Sequence, residues 1–159
     1  MTARAAGLQD VAQMALLADA KRREYEPHAP VFWRPAPDAL EIHRPWLSQL
    51  VEDPAVGAFV HEADDGIVDG FLVVTVLPAP PVYDPGGLSS LIDDFAVSHP
   101  ERWATAGAAL LRIAMDWAHQ NGAVQVVVVC GPHDGPKRAL LEEFGLYVAS
   151  EWFTTPLSR

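Results

Sequence analysis

An α/β (α+β) domain built on a mixed sheet is the fold class this sequence predicts, and three observations carry the prediction. Two apolar runs flank Ala-Asp-Asp-Gly at 63–66, where Asp65-Gly66 is a strong hairpin signal. Residues 105–120 show helical apolar spacing between two strand-like runs, 88–97 and 124–130. A helix so placed is expected to be a right-handed crossover joining parallel strands. At 159 residues, 50% of them apolar and with neither linker nor repeat, the chain fits one domain spanning 1–159 with a core of its own.

The elements follow in order. Residues 2–6 read as a short edge strand. Asp10 caps a helix whose stripe is Val11, Met14, Ala15, Leu17 and Ala18, decaying into Lys21-Arg22-Arg23-Glu24. A loop rich in proline and aromatic residues runs from Tyr25 to Pro37. A second helix is predicted over about 39–51, stopped by Asp53-Pro54. The hairpin strands cover 56–62 and 67–77. Residues 78–87 hold four of the fourteen prolines and cannot form regular structure. Residues 88–97 are a strand, and the helix over 105–120 ends at Asn121-Gly122, a left-handed C-cap signal. The valine-dominated run 124–130 predicts a central strand buried on both faces. A short helix over 136–144 stops at Gly145, and the aromatic-rich 147–157 completes the sheet. The predicted order is β-α-α-β-β-β-α-β-α-β.

Composition narrows function. Eleven Lys and Arg against 21 Asp and Glu leave a net charge of −10. Nucleic acid binds through phosphate neutralisation by cationic side chains, so it is not an expected partner. An amine suits this field better. The single cysteine, Cys130, excludes an internal disulfide and fits a reducing compartment. The N-terminus lacks a signal pattern, and no apolar run approaches the ~20 residues of a membrane span, so a soluble cytoplasmic protein without membrane contact is expected. No His, Cys or carboxylate set has metal spacing, and there is no Gly-x-Ser-x-Gly elbow. Neither a metal site nor a serine hydrolase is expected.

The passage from Ile92 to Leu111 carries the chemistry. A strand ends, a short loop turns, and a helix opens on small residues. Unpaired N–H groups at a helix N-terminus favour anions, and Ala104, Ala106, Gly107 and Ala108 leave its backbone accessible. The alternative is an ordinary strand-to-helix connection. Arg102-Trp103-Ala104-Thr105-Ala106-Gly107, reached through Asp94-Phe95-Ala96-Val97-Ser98-His99-Pro100-Glu101, resembles the acetyl-CoA signature of the GCN5-related N-acetyltransferase (GNAT) family, Arg/Gln-x-x-Gly-x-Gly/Ala. The order of elements agrees over nearly the whole chain, and Phe144-Gly145-Leu146 stands where Gly-Phe closes the family's last short helix. Thr105 replaces the first glycine; as a first-turn helical residue it fits, and its hydroxyl can add a phosphate bond.

The resemblance implies a mixed, mostly antiparallel central sheet with helices on both faces. It implies acetyl-CoA as acyl donor, no metal, and transfer of the acetyl group to a primary amine of a small molecule or peptide by direct attack on the thioester. Backbone N–H groups of Trp103, Ala104, Thr105, Ala106, Gly107 and Ala108 would hold the pyrophosphate behind Arg102. Phe95, Ala96 and Val97 would line the gap for the pantetheine. A homodimer is left open. Two familiar catalytic positions are apolar here: Leu141 stands at the thiolate-donating tyrosine and Leu91 at the base glutamate of histone-acetylating members. That leaves a catalytically degenerate CoA- or ligand-binding module as the alternative. The remaining candidates are Asp93, His133 and Tyr147 as catalytic groups, each also readable as a structural or solvated residue. Asp93 and Asp94 should fall on opposite faces of their strand. Tyr25, Phe32, Trp33 and Asp93 are candidates for the acceptor wall.

Overall fold

Five strands pair side by side in the order in which they occur in the sequence. The computed structural model describes residues 2–157. β1 (Thr2–Ala5), β2 (Val56–Glu62), β3 (Val68–Leu77) and β4 (Leu88–Val97) are mutually antiparallel, and β5 (Ala123–Val128) lies parallel to β4. α1 (Val11–Tyr25) and α2 (Ala39–Glu52) separate β1 from β2, α3 (Ala106–Gln120) is the crossover, and α4 (Gly135–Glu143) follows β5. The mixed, mostly antiparallel sheet and the element order through α4 agree with the sequence reading.

Alternation along the strands makes two cores. Val60, Phe71, Val73 and Ala96 face α1 and α2, joined by Met14, Ala15 and Leu47. Phe59, Leu72, Val74, Ile92 and Phe95 face α3 and α4, joined by Leu110, Leu111, Ala114 and Leu140. At the start of α1 the buried Asp10 carboxylate accepts from the Gly7 amide at 2.8 Å and from both terminal nitrogens of Arg4 at 2.8 and 3.0 Å. The Arg4 guanidinium therefore holds the Asp10 carboxyl below its ordinary value. Turn chemistry is as read: Gly66, Gly122 and Gly145 all have φ between 80° and 88°, the left-handed region that glycine adopts freely.

Two predicted features differ. The run 124–130 is not a central strand: β5 ends the sheet, and Val124 and Val127 are exposed. Residues 147–157, expected to pair beyond it, form no strand, so among the described residues β5 has no strand partner on its outer edge. Valine content reports a preference for extended backbone, whereas burial depends on which neighbour arrives. Smaller differences sit at the boundaries. α1 continues through its charged turn to Tyr25, and a 3-10 turn, Pro100–Ala104, precedes α3. Among the described residues no helix is long and apolar enough to cross a membrane.

Candidate functional site

β4 carries one residue more than β3 can pair. Leu72 lies opposite Phe95 and Val74 opposite Ile92, so Asp93 and Asp94 share the place of one partner. A bulge of this kind bends the strand and increases its twist. On its other side β4 keeps its parallel partner only as far as Ile92, which faces Val128 and whose carbonyl accepts from the Val129 amide at 2.9 Å. Beyond Ile92 no further register pairs β4 with β5, and the gap starts at the bulge.

The bulge also redirects side chains. Ile92 and Phe95 both enter the α3-side core, which strict alternation would forbid. Asp94 Oδ2 lies 3.2 Å from His43 Nε2 on α2, and His43 Nδ1 lies 3.0 Å from Arg22 Nη1 on α1. A guanidinium only donates, so Nδ1 accepts and Nε2 carries the proton to the carboxylate. Asp93 stays at the surface, its Oδ1 accepting from the Asp94 amide at 2.9 Å.

A buried polar cluster fills the gap. Lys137, in the first turn of α4, points its ammonium inward to the Phe95 carbonyl at 3.3 Å, 5.2 Å above the Phe95 ring and 5.4 Å from that of Trp103. Lys21 Nζ stands 5.2 Å from the Trp103 ring and reaches Asp134 Oδ2 at 3.1 Å. Asp134 caps α4, accepting from the Lys137 amide, and takes a 2.6 Å bond from the Tyr25 hydroxyl, which itself accepts from the Gly131 amide. Burial pushes the Lys137 amine down to about 8, burial and the Asp134 carboxylate push the Tyr25 phenol up, and burial raises the Cys130 thiol. On the surface above, His28 stacks on His133 at 4.3 Å beside Trp33.

Arg102 works on the other side of β4. Its Nε and Nη2 donate to Asp69 Oδ2 at 2.7 and 2.5 Å, and Asp69 Oδ1 accepts from the buried His61 Nδ1. This ion pair fastens the 100–104 turn to β3.

Solved structures share this architecture. A mutant of the BH1408 protein from Bacillus halodurans superposes with TM-score 0.84 at 14% identity, over 99% of this chain and all of the other. An aminoglycoside antibiotic 6'-N-acetyltransferase from Acinetobacter baumannii superposes at 0.72 and 11%, over 99% of each chain. A predicted acetyltransferase with acetyl-CoA from Clostridium acetobutylicum superposes at 0.71 and 13%, over 98% and 95%. This chain has the GNAT fold. No family model and no curated protein matches the sequence.

In the GNAT frame, acetyl-CoA would need the loop at 102–108 and the gap beside Phe95, Ala96 and Val97, and the residues there do not fit it as they stand. The Phe95 carbonyl is taken by Lys137, which is only 3% exposed. Trp103 is 2% exposed, edge-on to Phe95 at 4.8 Å. A Cβ on Gly107 would fall 2.8 Å from Trp103 Cε3 and 3.1 Å from Leu140 Cδ2, so the missing side chain makes room for the indole. Thr105 has φ −116° and carries no strain, while Ala104 and Thr105 are exposed and Ala106 is buried.

The structure gathers some sequence candidates and scatters others. Tyr25 joins the buried cluster; Trp33 packs edge-on against it at 5.2 Å, and Phe32 packs on Trp33 from the surface. His133 lies on the outer crevice and Tyr147 is 87% exposed. The sequence reading missed His43, Lys21 and Lys137, whose residue types on helices signal solvent, and Asp134, which Asp-Gly-Pro at a helix start does mark as a cap.

Proposed function

We propose that this chain is a GNAT-fold binding module that does not turn over acetyl-CoA, its cofactor gap closed by Lys137, Trp103 and Tyr25. The single observation that carries this reading is the Lys137 ammonium on the Phe95 carbonyl, the backbone group the family resemblance assigns to the pantetheine.

A second reading, an acetyl-CoA-dependent N-acetyltransferase for a primary amine of a small molecule or peptide, is favoured by the His43–Asp94 pair. The Asp94 carboxylate, at the bulge and oriented by His43 of α2, is a fitting proton acceptor for an attacking ammonium. It requires the Lys137 side chain to leave the gap. Titration calorimetry with acetyl-CoA separates the two, using wild type and Lys137→Ala, followed by a CoA-release assay over a panel of amines. The module reading expects no wild-type binding, binding gained in Lys137→Ala, and no CoA release by wild type with any amine. Wild-type binding with amine-dependent CoA release that falls in His43→Ala would overturn it in favour of the enzyme.

A further inference from the structure

A second cavity lies away from the bulge, with β2 and β3 between it and the gap beside β4. β1 stops at Ala5, opposite Phe59, so Val56 and Gly57 have only β3 as a strand partner, and a groove of about 250 Å3 opens there. Val56 and Phe59 line it, Trp117 of α3 forms a wall, and Glu52 and Asp53, at the end of α2, form the rim. A Cβ on Gly57 would fall 2.9 Å from Trp117 Cδ2, so the glycine lets the indole lie against β2. The charge at the rim runs against the helix. The last turn of α2 holds no basic residue, and two carboxylates stand where its terminal carbonyls already carry partial negative charge. Asp53 Oδ1 accepts from the Ala55 amide at 2.8 Å, while Glu52 is exposed and has no ion-pair partner among the described residues.

We propose that this groove binds a small organic ammonium ion, its charge at the Glu52–Asp53 rim and its apolar body against Val56 and Trp117. Three features select that chemistry. A cation at the rim offsets the mutual repulsion of the two carboxylates and the negative end of α2, whereas an anion would add to it and a neutral ligand would leave it unmatched. An indole beside carboxylates attracts an alkylammonium group through its ring face while its edges supply apolar contact. The volume falls just below the ~300 Å3 at which drug-sized pockets begin, which suits a single ring or a short alkyl chain. The groove is separate from the gap at Phe95, so it serves this purpose whether or not that gap admits acetyl-CoA.

Amide and indole NMR shifts under titration with benzyltrimethylammonium chloride at low ionic strength test this, with benzyl alcohol as the neutral control. A quaternary ammonium accepts no acyl group, so its binding is independent of turnover. Saturable shifts should centre on residues 52–59 and on the Trp117 indole. Glu52→Gln should weaken binding at least about threefold and Trp117→Leu at least about fivefold, each with an unchanged far-UV spectrum. If Trp117→Leu unfolds, Glu52→Gln decides alone. No saturable shift, equal binding of benzyl alcohol, or an unchanged affinity in Glu52→Gln overturns the proposal. Shifts confined to His43, Asp94 and Lys137 also overturn it, by placing the cation in the gap, and leave the closure of that gap to its own test.

Discussion

Replacing Lys137 by methionine tests the buried amine directly, because Met keeps the length of the side chain and removes its charge. A fall in the amine from 10.5 to about 8 means that its protonated form is disfavoured by about 3 kcal/mol in the fold. Methionine escapes that penalty but leaves the Phe95 carbonyl without its donor, at a cost of about 1–3 kcal/mol. Near pH 7 the variant should therefore be more stable than wild type by about 1 kcal/mol. The pH dependence is the sharper readout. The folded value lies below the unfolded one, so between about pH 8 and 10.5 the unfolded chain holds the extra proton and wild type gains stability as pH rises. By pH 10 the ionic penalty should have shrunk by about 2.5 kcal/mol, reversing the order of the two proteins. Cys130 and Tyr25, both raised by burial, act in the opposite sense above their ordinary values; Tyr25 does so in both proteins, and Cys130 is raised further once the Lys137 charge is gone. Urea unfolding of wild type and variant at pH 7 and pH 10 gives the double difference. A stability difference between the two that stays constant across that range would refute the buried ammonium.

Gly107→Ala should lower stability by about 1–2 kcal/mol and the melting temperature by about 3–6 °C, since the new methyl meets Trp103 at 2.8 Å. Indole fluorescence and a thermal melt would show it, and an unchanged melt would return the glycine to a phosphate-binding role. Asp69→Asn removes the carboxylate shared by Arg102 and His61 and should cost about 3–5 kcal/mol in urea unfolding. A loss below about 1 kcal/mol would mean that the 100–104 turn holds without that ion pair.

The sequence carried the element order because the decisive signals are local: Asp65-Gly66 closes a hairpin, Gly122 and Gly145 end helices, and the α3 stripe repeats at helical spacing. What it did not carry depends on where distant segments meet. The bulge at Asp93 and Asp94 is one residue in ten and leaves no mark on the apolar pattern, so alternation could not show that Ile92 and Phe95 enter the same core. Lys137 reads as solvent-facing from its type, and only the parting of β4 and β5 gives its ammonium an interior to enter. Trp103 sits inside the stretch that resembles a cofactor signature, and its indole is buried edge-on to Phe95. The edge position of β5 was invisible for the same reason: composition describes a strand, and its neighbours decide whether it is covered.

The opening beside Phe95 is made by register, and its closure by a side chain. These two features answer to mutation on different scales. Changing the opening means inserting or deleting a residue within a paired strand, which flips every side chain beyond the change. Changing the closure takes one codon, since lysine lies a single base from threonine, methionine and glutamine. The two features are therefore separable: one substitution at position 137 can clear the gap beside Phe95 while the register of β4 stays as it is.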